Sequence, residues 1–163
     1  MRLFFLRHAD AGAGGPAPDI ERPLSPAGIE EARAAANALL HLNTTFGIIL
    51  SSPFLRARQT AQIVSTQFPS IKTQILEQLQ PASDPEDFFR ELQALSRDTR
   101  ALVVSHEPFV SRCIGRLISG GNEPNISIKK ASLSCVEVGS PVRPGSGVLL
   151  WLLTNDQLRL LKP

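Results

Sequence analysis

Short runs of large apolar residues alternate with amphipathic stretches from the N-terminal residues to about residue 118, and few architectures accept that rhythm. Leu3–Leu6 has almost no polar alternation, as suits a strand covered on both faces. Gly47–Leu50 and Ala101–Val104 repeat the signal, the latter most clearly, while Ile71–Leu76 alternates loosely and reads as a strand between them. Between them lie helical spacings with recognisable starts. Ser25-Pro26 offers an N-cap and a proline at the first helical position, after which Ile29, Ala32, Ala36, Leu39 and Leu40 recur on one stripe. Ser51-Ser52-Pro53 ends the second strand and opens a helix to about Thr66, with Leu55, Ala61 and Val64 inward. Asp84-Pro85 starts a helix whose apolar face is Phe88, Phe89, Leu92 and Leu95. Pro108 marks the first turn of another, carrying Phe109, Val110, Cys113, Ile114 and Leu117. The Gly/Ala/Pro stretch Ala11–Pro18 interrupts regular structure. In the last third, Ser132–Val138 and Val148–Leu153 flank a Gly/Pro-rich loop, Gly139–Gly147, and read as an antiparallel pair near a sheet edge. The pattern predicts one α/β domain over residues 1–163. It has three layers: a mainly parallel central sheet, helices on both faces, and an antiparallel edge pair.

In such sheets, sites form in the crevice beyond the carboxyl ends of the strands. Arg7 and His8 follow the first strand, Arg56 comes soon after the second, and His106 follows the fourth. Topology brings those ends together. Arg7, Arg56 and Arg22 supply permanent positive charge in forks that match phosphate geometry, and His8 and His106 add two imidazoles. The set suits a phosphoryl group and makes a poor divalent-metal site, because arginines repel cations and no carboxylate is spaced with the histidines. Phosphoryl transfer without a metal needs the guanidiniums for charge neutralisation and an in-line nucleophile. An imidazole serves if one ring nitrogen faces phosphorus while the other donates to a fixed acceptor. His106-Glu107-Pro108 lies where a strand turns into a helix, which places His106 to donate to a phosphoryl oxygen.

Leu6-Arg7-His8-Ala9 resembles the Arg-His-Gly signature of the histidine phosphatase superfamily, the group that includes phosphoglycerate mutases. Ser52-Pro53-Phe54-Leu55-Arg56-Ala57-Arg58-Gln59-Thr60-Ala61 is similar to its second signature, and Val104-Ser105-His106-Glu107-Pro108 to its third. The three occur in the family's order. The short length and Arg22-Pro23-Leu24-Ser25-Pro26-Ala27-Gly28 are most similar to the SixA-type branch, described as phosphohistidine phosphatases acting on histidine phosphotransfer domains. The resemblance implies a phosphoglycerate-mutase-like fold and a metal-independent phosphatase without cofactors. His8 is then the nucleophile, Arg7, Arg56 and His106 bind the phosphoryl group, and Arg22 is a further member of the pocket. Ala9 stands where the wider family has glycine. Family mutases and many phosphatases carry a glutamate as general acid, and in the corresponding region, Ile75–Pro81, both Glu77 and Gln78 compete for that position. The inserted helical segment that carries the acid in other members is absent. A general acid is worth roughly 10²–10⁴ in rate to an alkoxide leaving group, whereas an imidazole needs far less help. A weak acid therefore favours phosphohistidine over phosphoserine or sugar phosphate.

Other residues have quieter readings. His41 is a dipole partner at a helix C-terminus, Arg58 a solvated charge, and Lys129-Lys130 a surface pair. Glu107 complements its helix N-terminus, and Asp10 either orients Arg7 or helps select substrate. Net charge is +2, too small a surplus to imply nucleic acid, and no apolar run approaches the roughly 20 residues of a membrane span. Cys113 and Cys135 fit neither a zinc nor a redox spacing, so the expected compartment is the cytoplasm. The expected partner is a phosphorylated protein or a small phosphate ester. Three alternatives accompany the phosphohistidine phosphatase: a general phosphomonoesterase for small esters, a mutase, which ranks lower because it needs a competent acid and usually a longer chain, and a phosphate- or phosphohistidine-binding module without turnover.

Overall fold

In the computed structural model, which describes residues 1–16, 18–121 and 125–161, the first apolar run is strand β1 (Arg2–Arg7). Ala17, within the expected irregular stretch, lies outside the described residues. Leu3 and Phe5 point to one face of the sheet and Phe4 and Leu6 to the other, so all four are buried. Pro26–His41 forms α1, whose N-cap Ser25 accepts the Gly28 amide. Strand β2 (Ile48–Ser51), helix α2 (Leu55–Ser65) and strand β3 (Lys72–Ile75) follow. Helix α3 (Pro85–Gln93) is capped by Asp84, which accepts the Glu86 amide. Strand β4 (Arg100–Ser105) leads into α4 (Phe109–Ser119), and β5 (Leu133–Val138), β6 (Gly147–Leu153) and the short α5 (Asn155–Leu158) follow.

The described strands form one sheet in the order β3-β2-β4-β1-β5-β6. The first four run parallel, and β5 is antiparallel to both β1 and β6. Helices α1, α2 and α5 pack on Phe4, Leu6, Ile49, Leu102 and Val104. On the opposite face α3 and α4 bring Phe88, Phe89, Phe109 and Ile114 against Leu3, Phe5 and Val103. This is the expected three-layer α/β arrangement with its antiparallel edge pair.

Three details differ from the sequence reading. Leu40 is 41% exposed, and Ala35 and Ala38 are buried in its stead. Their small side chains let α1 lie close on α2, while Leu40 turns outward near the helix end. The third strand is an edge whose four residues are all exposed. Pro108 is the N-cap of α4 rather than a residue within its first turn.

Candidate active site

The carboxyl ends of β1, β2 and β4 adjoin because β4 pairs with both of the others. The first signature leaves β1 tied on two sides. The His8 amide donates to the Ser105 carbonyl at 2.8 Å, and the Ala131 amide donates to the carbonyls of Arg7 and His8 at 3.1 and 3.2 Å. Ala131 does so from a left-handed backbone, φ 51°, which costs a non-glycine residue about 1–2 kcal/mol. Residues of the second signature hold the next step, since the Ala9 amide donates to Thr60 Oγ1 and the Leu24 amide to Gln59 Oε1.

His8 Nδ1 lies 2.7 Å from the Ala9 carbonyl oxygen. A carbonyl only accepts, so Nδ1 carries the proton and Nε2 keeps its lone pair. Arg56, on the first turn of α2, aims its Nε–H at that lone pair across 3.2 Å. The His106 ring stands 4.8 Å from that of His8, between centroids, and bonds Ser52 Oγ through Nε2 at 2.7 Å. Phe54 meets His106 edge-on at 4.9 Å and lies under the Arg56 guanidinium. His8, Arg56 and His106 are all buried, at 5%, 4% and 1% exposure.

Arg7 donates through Nη1 to the Ile128 carbonyl at 2.6 Å, and its charge bears on both imidazoles. Arg22 reaches the cluster through a residue that sequence reading passed over, Asp19. One carboxylate oxygen of Asp19 takes Arg22 Nη2 at 3.3 Å and the other takes Arg56 Nη2 at 3.0 Å. Its carbonyl accepts Arg56 Nη1 at 2.8 Å. The terminal nitrogens of Arg56 are thereby held away from His8 and its Nε edge is turned toward it. No motif marked Asp19. The available signal was an acidic residue three positions before Arg22, the reach of a single helical turn.

Other candidates fall elsewhere. Glu77 accepts the Gln80 amide and Gln78 donates to Glu91, both at exposed positions. Asp10 does not bond Arg7. It accepts Lys130 Nζ at 2.5 Å, Ser25 Oγ at 2.6 Å and the Gly12 amide at 2.9 Å, so Lys130 is more than a solvated surface charge. Glu107 accepts the Ser111 amide, capping its own helix, and Arg58 is exposed. Among the described residues, no group of three or more His, Cys, Asp and Glu side chains is placed to hold a metal ion. Nor is any helix long and apolar enough to cross a membrane.

The electrostatics favour a neutral imidazole pair. Burial, then the charges of Arg56, Arg7 and Lys130, lower the His8 pKa from 6.5 to about 4 against the opposing bond to Ala9. Burial, the neighbouring His8 ring and the same arginines lower His106 to about 2. Asp10 is held well below the ordinary carboxylate range by Lys130 first and Ser25 second. An unprotonated nitrogen facing a cluster of guanidiniums, with a second imidazole beside it, is an arrangement chemically able to accept a tetrahedral anion and attack it.

The profile of the histidine phosphatase superfamily (branch 1) matches residues 3–82, the span holding Arg7, His8, Arg22 and Arg56. The chain is similar over its length to the phosphohistidine phosphatase SixA of Escherichia coli (strain K12), with 33% identity over 167 residues and 99% of each chain covered. An uncharacterised protein of Picosynechococcus sp. shares 29% identity over 96% of this chain and 98% of its own. A solved structure of the protein histidine phosphatase SixA complexed with tungstate superposes with a TM-score of 0.83. It is 30% identical and covers 97% of this chain and 99% of its own. With the fold, the paired imidazoles and these likenesses in agreement, the chain belongs to the histidine phosphatase superfamily.

Proposed function

We propose that this chain is a phosphatase that takes a phosphoryl group onto His8 and hydrolyses it, acting on phosphohistidine carried by a protein such as a histidine phosphotransfer domain. One observation carries the reading: the Ala9 carbonyl fixes the His8 proton on Nδ1, leaving the Nε2 lone pair beside Arg56 and His106. In the first step the Arg56 Nε–H turns from His8 Nε2 to a phosphoryl oxygen, and the freed lone pair attacks phosphorus in line. The P–N bond of the substrate breaks, and the leaving imidazole takes its electron pair and then a proton from solvent. In the second step water attacks the phosphorus on His8 Nε2, releasing inorganic phosphate and the free ring. Arg7, Arg56 and His106 hold the phosphoryl oxygens through both steps, and Arg22, joined to Arg56 by Asp19, adds charge at the rim.

Two further observations support an imidazole leaving group over an alkoxide. Glu77 and Gln78 are engaged with Gln80 and Glu91, and Asp10 is held ionised by Lys130 and Ser25, a poor state for donating a proton. The similarity to an enzyme named for phosphohistidine points the same way. Two free, buried cysteines suit a reducing cytoplasm as the place of action.

Incubation with a ³²P-phosphohistidine protein should label wild type transiently and release phosphate, while His8→Ala stays unlabelled and loses at least about 10³-fold in rate. Faster turnover of p-nitrophenyl phosphate or sugar phosphates would instead indicate a general phosphomonoesterase. Binding of phosphate without labelling or release would indicate a binding module.

A further inference from the structure

Ser52 stands one residue beyond β2 and is fully buried. Its amide donates to the Val104 carbonyl at 3.0 Å, and the Ser51 hydroxyl donates to the Ser52 carbonyl at 3.1 Å. The backbone of Ser52 is thus pinned to β4, the strand that delivers His106 two residues later. Its hydroxyl meets His106 Nε2 at 2.7 Å, a well-formed hydrogen-bond distance.

That contact decides which nitrogen of His106 is available. Nε2 is engaged by Ser52, and Nδ1 is buried with no hydrogen-bond partner among the described residues. A buried polar atom without a partner is costly unless a ligand supplies one. A neutral imidazole has a single N–H, and burial beside Arg56, Arg7 and His8 keeps this ring neutral. With the proton on Nε2, the Nδ1 lone pair would confront a phosphoryl oxygen and repel it. With the proton on Nδ1, the ring donates to that oxygen. The Ser52 hydroxyl is able to complement the second state: its oxygen takes the Phe54 amide at 3.4 Å, and its own O–H is free to donate to His106 Nε2.

We propose that Ser52 is a positioning residue that donates to His106 Nε2 and so holds the His106 proton on Nδ1, ready for a phosphoryl oxygen. The assignment rests on the phosphatase reading for its consequence in rate, and on geometry alone for the tautomer. The hydroxyl rotor serves a second state as well, because it accepts from Nε2–H if the bound anion recruits a second proton to the ring.

The test uses the full chain labelled with ¹⁵N. Long-range ¹H–¹⁵N spectra at pH 7 should show His106 protonated at Nδ1 and bare at Nε2. Ser52→Ala should shift the proton to Nε2 or mix the two forms. It should also lower kcat/KM on a phosphohistidine protein and weaken tungstate inhibition, each by about 10- to 100-fold. Ser52→Thr, which keeps the hydroxyl, should recover both the spectrum and the rate, and Ser52→Ala should cost nothing further in a His106→Ala background. A wild-type His106 protonated at Nε2 overturns the proposal whether or not the variants fold. Loss of activity in Ser52→Ala with an unchanged tautomer overturns it too, leaving Ser52 a packing role. If wild type turns over no phosphoryl substrate, the functional reading fails, while the spectra and tungstate titration still decide the role of Ser52.

Discussion

At the scale of single residues, the site is a problem of where protons reside. His8 sits under two opposing influences, burial among guanidiniums that expels its second proton and the Ala9 carbonyl that retains the first. An NMR titration should therefore place its midpoint near pH 4 rather than at the ordinary 6.5. Arg56→Gln removes one of the cationic neighbours and should raise that midpoint while leaving it below 6.5, because burial is the larger cause. A wild-type midpoint near 6.5 would refute this account of the site. The pair Arg7-His8 was legible from residue types and from position after a strand, as were Arg56 and His106. Asp19 was not, because its role exists only once Arg22 and Arg56 lie on either side of one carboxylate. Lys130 was likewise misjudged as a solvated charge, since its partner Asp10 is 120 residues away.

At the scale of elements, the approach of α1 to the loop after β1 controls how His8 is supported. Gly28 occupies the first turn of α1, and a Cβ there would fall 1.9 Å from the Asp10 carbonyl oxygen and 2.8 Å from its carbon. Backbone cannot yield as a flexible side chain does. Glycine to alanine in a helix ordinarily stabilises by about 0.5–1 kcal/mol. Here the sign reverses: Gly28→Ala should cost about 1–3 kcal/mol, read from the urea unfolding midpoint. It should also lower kcat/KM, because Asp10 directly follows the Ala9 carbonyl that holds the His8 proton. Unchanged stability would show that α1 slides freely over this loop. Element starts were well marked in the sequence, Ser25 and Asp84 both accepting first-turn amides as their types predict. Helix faces were less so. The alanines of α1 carry little hydrophobic signal, and only packing against α2 showed that Ala35 and Ala38 lie inward.

At the scale of the molecule, folding buries two imidazoles that titrate freely in the unfolded chain. Their folded pKa values lie below 6.5, so between about pH 4 and 6.5 the unfolded state binds more protons than the folded one. Stability is then full above pH 6.5 and falls as the solution is acidified, by up to about 1.4 kcal/mol per pH unit for each ring. Asp10, whose folded value lies below the carboxylate range, adds its loss only at lower pH. Tm measured from pH 7 to 4 should decline in wild type and decline less steeply in His8→Gln; equal slopes would mean that His8 is not the titrating group. The amino-acid sequence by itself determined the strand and helix rhythm, the three-layer class and the residue types able to bind and attack a phosphoryl group, because periodicity and side-chain chemistry are local properties. Only the tertiary structure decided which partner each of those groups finds. The order β2-β4-β1 sets Ser52 against His106 and Arg56 against His8, and proton placement follows from contacts between residues about 50 positions apart.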